Sequence, residues 1–189
     1  MMNKKEGSAV VEATVIFSIT MILILVIFTI TIGIVQNQSE MVSDDLLSSE
    51  LAAYKHINKK ELGASQNIDI VIINEHKNAF DTFKEYLKVN LGLNELFVAA
   101  NEHNFIKGKV DILLFKIYNV KGNDIEIITY TSDSVTIKSE PNGLGKIETP
   151  KGNVVMNTTI YSEIGFYIKP MLLNKKYVKR NQETDIVTK

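Results

Sequence analysis

The N-terminal part of the chain is dominated by one apolar run. Residues 13–35 are 23 consecutive residues without a charged side chain. An α-helix rises about 1.5 Å per residue, so this run would be about 34 Å long, enough to cross a hydrocarbon core of about 30 Å. The apolar region of a cleavable secretory signal is shorter, about 7–15 residues, and is followed by a small-residue cleavage site. No such site follows Val35. The pattern predicts a retained transmembrane helix over residues 8–35.

A second helical pattern follows the apolar run. Its apolar positions are spaced four or seven residues apart, as on one face of a helix. They are Val42, Leu46, Ala53 and Ile57, widened by Met41, Leu47, Leu51 and Tyr54. The charged residues Asp44, Asp45 and Glu50 are assigned to the other faces. This predicts an amphipathic helical stalk over residues 36–62, which forms one helix of about 75 Å with the membrane segment. Gly33 is the weakest helix former in the run and the expected bend; a coiled-coil stalk is the alternative.

Residues 63–174, which follow the stalk, are predicted to form a small extracytoplasmic domain. It begins with a short strand at residues 68–73. A helix is predicted at residues 77–91 and ends at Gly92, because apolar residues recur there at helical spacing. These apolar residues are Phe80, Phe83, Leu87 and Leu91. Such a stripe is typical of a helix that packs on a core.

From residue 109 the apolar period changes to two, which is typical of strands. Strands are predicted at residues 109–120, 124–130, 134–138 and 156–168, with a three-residue hairpin turn at Lys121-Gly122-Asn123 and a loop at residues 141–153. An antiparallel sheet with one face covered by the two helices is the simplest arrangement, and the fold class is α+β. Residues 175–189 are rich in lysine and predict a flexible, solvated, basic tail; contact of this tail with a cell-wall polymer or an anionic lipid is the alternative.

Composition and charge narrow the class of function. The chain has no cysteine, a formal net charge of −1 and a single arginine, Arg180. This argues against a disulfide framework, thiol chemistry and a nucleic-acid partner. His56, His76 and His103 are too far apart in sequence for a local ligand pair, and Gly143-Leu144-Gly145 lacks the context of a dinucleotide loop. We therefore expect no enzyme, no cofactor and no metal site.

The flanks of the apolar run predict its orientation. Lys4 and Lys5 precede it, whereas residues 36–54 contain no Lys or Arg. Positive residues concentrate on the cytoplasmic side of membrane helices. The N-terminus is therefore expected in the cytoplasm and residues 36–189 outside.

A short motif precedes the apolar run. Gly7 ends a basic leader and is followed by Ser8-Ala9-Val10-Val11-Glu12, so a glutamate stands fifth after the glycine. This arrangement resembles the class III signal of type IV prepilins. The residues after Gly7 are most similar to the TadE/TadG-type pseudopilins of tight-adherence (Flp, type IVb) pili. The resemblance covers about 30 residues. It departs from classical pilins at Ser8, where those have a Phe that becomes N-methylated.

The resemblance implies a processing site and a mode of assembly. Residues 1–7 would be a leader that a prepilin peptidase removes after Gly7, which leaves Ser8 as the new N-terminus. Glu12 would then meet the terminal amine of a neighbouring subunit, since a charge in hydrocarbon is usually offset by an opposite one. The implied partners are the prepilin peptidase, other pilin or pseudopilin subunits, a membrane assembly platform and the lipid bilayer. The implied role is that of a minor pseudopilin in pilus assembly.

An alternative class of function uses the same elements. The chain would remain an uncleaved, single-span membrane protein whose outer domain binds a cell-wall component or another protein. Glu12 would then lie in the headgroup layer, where a carboxylate costs little. The two hypotheses differ in whether the bond after Gly7 is cut.

Overall fold

The computed structural model describes residues 4–58, 71–101, 104–169 and 174–186, with side chains from residue 9 onward. Within these described residues, two α-helices and five strands make an α+β fold, as expected from the sequence. The elements are α1 (Lys4–Ala53), a 3-10 turn (Tyr54–His56), α2 (His76–Asn90), β1 (Ile106–Lys121), β2 (Asp124–Tyr130), β3 (Val135–Glu140), β4 (Thr159–Ile168) and β5 (Lys176–Asp185).

The five strands form one antiparallel sheet. Their order is β3-β2-β1-β4-β5, so the long strand β1 is central and β3 and β5 are the edges. The β1–β2 hairpin is confirmed, but its turn has two residues and not the predicted three, because Lys121 still belongs to β1 and pairs with Asp124. Gly122 has a φ of 63° in this turn, a conformation that glycine adopts without steric cost.

Both helices cover the same face of the sheet. Phe83 of α2 is fully buried and packs against Phe115 of β1, with ring centroids 4.7 Å apart and ring planes tilted by 39°. The predicted aromatic stripe on this helix therefore belongs to the core. Around this pair lies the main apolar cluster, which includes Leu46, Ala79, Leu87, Ile117, Ile128, Ile160 and Ile164.

The opposite face of the sheet is not wholly open. Tyr118 of β1 and Tyr161 of β4 are buried there with Ile125 and Val155. Val155 belongs to the loop between β3 and β4, which folds back over this face and bonds to itself through the Val155 N–H and the Ile147 carbonyl. The expectation of a single covered face is therefore wrong at this end of the sheet.

The prediction of a flexible basic tail over residues 175–189 is also wrong in part, because residues 176–185 form β5. This strand pairs with β4 over ten positions, from Lys176 opposite Ile168 to Asp185 opposite Thr159. An edge strand has one side open to water, so charged side chains are compatible with regular pairing there. The basic composition correctly predicted exposed side chains, but the predicted lack of regular structure is wrong.

Helix α1 is continuous through Gly33 but ends at Ala53, so the predicted helical stalk over residues 36–62 is too long: Tyr54–His56 form a 3-10 turn, and Ile57 is extended with a ψ of 141°. The predicted end of the stalk near Lys59 and Lys60, and residues 68–70 of the first predicted strand, lie outside the described residues. Within that predicted strand, Ile73 forms an isolated bridge with Ile57 and bonds to the buried Asn119 side chain at 2.8 and 3.1 Å.

The packing of α1 yields a matched pair of substitutions. Leu46 is fully buried, whereas Leu51 on the same helix is 53% exposed. Leu46→Ala should lower the free energy of unfolding by about 2–5 kcal/mol, because it leaves a cavity against the sheet. Leu51→Ala should change it by about 0.5 kcal/mol or less. Urea unfolding of the detergent-solubilised chain, followed by tyrosine fluorescence, measures both; equal effects would contradict this docking of α1.

Candidate functional site

The apolar half of α1 does not pack on the α+β domain. Every residue from Ala9 to Ile30 is exposed, and contact with the domain begins around Thr31 and Val35. Large apolar surfaces of this kind are normally covered by lipid or by another protein. Among the described residues, α1 is the one helix long and apolar enough to cross a membrane.

Ser and Thr hydroxyls of this apolar segment bond to the backbone of the helix itself. Five Ser and Thr hydroxyls donate to the carbonyl four residues earlier at 2.8–2.9 Å; they belong to Thr14, Ser18, Thr20, Thr29 and Thr31. An unpaired hydroxyl in hydrocarbon would cost free energy, so this pattern suits a helix surrounded by lipid. The segment thus combines exposure with internal hydrogen bonding.

The residues of the N-terminal motif all lie on α1. The Gly7–Ser8 bond is in the first turns of the helix, and the Glu12 side chain is exposed. Gly7 and Glu12 are five residues apart, a rise of about 7.5 Å along an α-helix. The motif is therefore at the end of the molecule farthest from the sheet.

The other half of α1 and the 3-10 turn after it are fixed to β4 and β5 by polar contacts, which we call the polar seam. It comprises Ser39 and Glu50 of α1, Tyr54 of the turn, and Arg180, Ser162 and Thr184 on the strands. At one end the Tyr54 hydroxyl accepts a bond from the Ile160 N–H at 3.0 Å and donates to the Thr184 carbonyl. At the other end a guanidinium N–H of Arg180 donates to the Ser39 hydroxyl.

Glu50 is the middle contact of the polar seam and is fully buried. The hydroxyls of Ser162 and Thr184 each donate to one of its carboxyl oxygens at 2.6 Å. Burial raises the pKa of Glu50 to about 8, although these hydrogen bonds and the positive charge of Lys151 act in the opposite direction. The carboxyl group therefore holds its proton near neutral pH in the folded protein.

The seam was not found by sequence reasoning, which assigned Glu50 to a face away from the core. Its spacing carried the opposite signal, since Glu50 is four residues after Leu46 and three before Ala53, both fully buried. Residues at those spacings share a helix face. Met41 and Leu51, expected to widen the buried stripe, are 57% and 53% exposed.

The histidines make structural contacts. His56 lies 2.8 Å from the Thr82 hydroxyl, and His76 lies 2.7 Å from the Tyr130 hydroxyl. His103 is outside the described residues. Within the part of the chain that the structure describes, no group of three or more His, Asp or Glu side chains is placed to hold a metal ion.

The raised pKa of Glu50 has a consequence for stability. Between about pH 4.5 and pH 8 the unfolded chain has lost this proton while the folded chain retains it. Stability should therefore be highest below that window and fall as the pH rises through it, by at most about 1.4 kcal/mol per pH unit. Glu50→Gln, which mimics the neutral acid, should flatten this dependence. Urea unfolding at a series of pH values measures the slope.

Glu40→Gln is the matched control, because Glu40 lies on the same helix and is exposed. It should leave the slope as in the parent chain. An unchanged slope in Glu50→Gln would show that Glu50 is not the group responsible.

Comparison of the chain with family models, with curated proteins and with solved structures finds no match in any of the three. Any functional conclusion therefore rests on the residues of the N-terminal motif, on the exposed apolar half of α1 and on the way its other half is fixed to the sheet.

Proposed function

We propose that the chain is a minor pseudopilin of the TadE/TadG type, which is cleaved after Gly7 and takes part in the assembly of a type IVb, Tad-like pilus. Its apolar helix would lie in the membrane before assembly and among the helices of other subunits afterwards. The α+β domain would then be carried outside the membrane.

The observation that carries this proposal is the division of α1. One continuous helix exposes an apolar first half and packs its second half on an antiparallel sheet. A subunit that must exchange lipid for neighbouring helices needs an apolar helix that its own domain leaves uncovered. The part of α1 that extends beyond the domain supplies that surface. The resemblance of residues 7–12 to a prepilin signal adds a route by which a peptidase would release this helix from its leader.

Glu12 would serve as the register contact of assembly. Cleavage after Gly7 creates an α-ammonium group at Ser8, and the carboxylate of Glu12 in one subunit would pair with that amine in the next. An ion pair in hydrocarbon offsets part of the cost of burying each charge. The proposed partners are thus the prepilin peptidase, the other subunits and a membrane assembly platform.

One observation favours the alternative of an uncleaved, single-span binding protein. The Gly7–Ser8 bond lies within α1, and a helical segment must open before a peptidase can act on it. The bond is only a few residues from the start of the helix, where the ends of helices fray. Cleavage is therefore the step that separates the two functions.

Mass spectrometry of the chain produced in cells with and without a prepilin peptidase tests the cleavage directly. With the peptidase the mature N-terminus should be Ser8, and Gly7→Ala should retain residues 1–7. Ala9→Gly, a change of similar size two residues later, should still be cut. An intact N-terminus in the parent chain with the peptidase present would overturn the pseudopilin proposal in favour of the membrane-anchored binding protein.

The role of Glu12 is tested separately from cleavage. Glu12→Ala should still be cut after Gly7, while crosslinks between the membrane helices of neighbouring subunits should fall at least about tenfold, since the ion pair is lost. Glu40→Ala, on the same helix but beyond the apolar run, should assemble normally. Full crosslinking of Glu12→Ala would show that the carboxylate is not needed for assembly.

A further inference from the structure

We infer that the end of the sheet nearest the apolar half of α1 is a binding site for an anionic phospholipid of the bilayer that α1 enters. This end, the proximal edge, comprises the start of β1, the end of β4 and the start of β5. The inference rests on one part of the proposed function, the insertion of α1 into a bilayer. It does not depend on cleavage after Gly7.

The contacts along α1 place the proximal edge at the level of the apolar run. Tyr54 meets Ile160, near the start of β4, and Glu50 meets Ser162. Farther back along α1, residues 28–35 reach Phe166 and Ile168 at the end of β4. Helix and strand are therefore antiparallel, and the last turns of the uncharged run lie beside the proximal edge. A bilayer that holds the uncharged run, residues 13–35, would bring its headgroups just beyond this run, near Ser39, which Arg180 contacts, since these 23 residues span about 34 Å.

A groove opens between α1 and the sheet at this level. Its cavity volume is about 400 Å³, within the range of small-molecule sites. Its apolar wall includes Phe28, Ile32 and Val35 of α1 and Phe166, Ile168 and Val178 of the sheet. Phe28 and Ile32 remain 60% and 42% exposed, so the groove is open on the side where lipid chains would lie.

Cationic groups border this apolar wall. Lys176 and Arg180 line the groove, and the Nε atom of Arg180 is buried without a hydrogen-bond partner among the described residues. A buried donor of this kind needs an acceptor. Residues 168–180 contain five basic residues and no acidic one, whereas β5 ends with Glu183 and Asp185 at the far end of the sheet. The positive charges of β5 thus lie at the end of the strand that is against the apolar run.

Two tyrosines complete the proximal edge on the other face of the sheet. The rings of Tyr167 and Tyr177 meet edge to face with centroids 5.0 Å apart, and the Lys175 ammonium lies 4.7 Å from the centre of the Tyr167 ring. Tyr177 lies over Gly165, where a Cβ atom would fall 1.9 Å from its hydroxyl oxygen. Tyrosine and lysine side chains are enriched where proteins meet lipid headgroups, because each combines an apolar body with a polar end.

An anionic phospholipid matches all of these features. Its acyl chain fits the apolar wall, and its phosphate is the acceptor that Arg180 and Lys176 require. The helix of a second copy matches less well. Residues 13–35 carry no anion, and in a copy inserted at the same depth Glu12 would lie about 24 Å deeper than Phe28.

The absence of tryptophan from the chain allows a single reporter to be placed in the groove. The full chain with Phe28→Trp is reconstituted into vesicles of phosphatidylcholine with a minority of phosphatidylglycerol. Bromine, a quencher of tryptophan fluorescence, is carried on the acyl chains of one lipid or of the other at constant composition. Phe28→Trp should be quenched preferentially by brominated phosphatidylglycerol. A second reporter, Phe17→Trp, lies in the exposed apolar run away from the groove and should show no preference.

Two double variants of equal charge separate the site from general attraction to an anionic surface. Lys175→Gln with Lys176→Gln removes exposed charges of the proximal edge, and should lower the preference at Phe28→Trp about fivefold or more. Lys121→Gln with Lys146→Gln removes two charges from the opposite end of the sheet and should leave it unchanged. Circular dichroism checks that both variants keep the fold.

Each other outcome overturns the inference in a distinguishable way. Equal quenching of Phe28→Trp by the two brominated lipids would show that the groove does not select the anionic headgroup. Quenching that vanishes as the protein-to-lipid ratio rises would show that a second copy occupies the groove. An unquenched Phe17→Trp would show that α1 does not insert, and would remove the membrane part of the proposed function as well.

Discussion

The length of α1 relative to the sheet governs the rest of this molecule. Residues 35–54 extend roughly 30 Å as a helix, which matches the roughly 33 Å of the ten-residue strand β4. The domain can bury only that portion, and it does so with Leu46 and Ala53 fully enclosed. Ahead of that portion, residues 9–30 of the 50-residue helix remain exposed. The apolar half of α1 is therefore exposed because the sheet is too short to cover it. Any function of the chain must provide the surroundings of this half.

The polar seam determines how the covered half of α1 is seated. Apolar contacts tolerate small shifts, but Glu50 and Tyr54 each require specific partners on β4 and β5. A slide of the helix by one turn would move Glu50 about 5.4 Å from the Ser162 hydroxyl and leave a buried carboxyl group unsatisfied. The seam thus fixes both the height and the rotation of the helix against the sheet. A purely apolar interface would fix them less sharply.

The sequence predicts the repeating elements of this fold better than its exceptions. The uncharged apolar run, the β1–β2 hairpin and the stripe of Phe83 and Leu87 are visible as sequence patterns, and each lies in the element that its pattern predicts. Glu50 was misassigned because its charge was given more weight than its spacing, and β5 because an edge strand carries no apolar alternation. The groove at the proximal edge joins residues more than a hundred positions apart, such as Phe28 and Phe166. No local pattern can reveal such a site before the topology is known.

Because α1 is continuous, the directions in which side chains at its two ends point around the helix axis are linked. Glu12 and Glu50 are 38 residues apart on one uninterrupted helix, and at 3.6 residues per turn this places them about 200° apart around its axis. Glu12 thus faces almost directly away from the side on which α1 carries the sheet. If helices gather around the carboxylate of Glu12, their domains lie on the outside of the helix bundle and point away from its axis. Because Glu50 locks the rotation of the helix against β4 and β5, the contact chosen inside the membrane would also set the direction in which each domain points outside it.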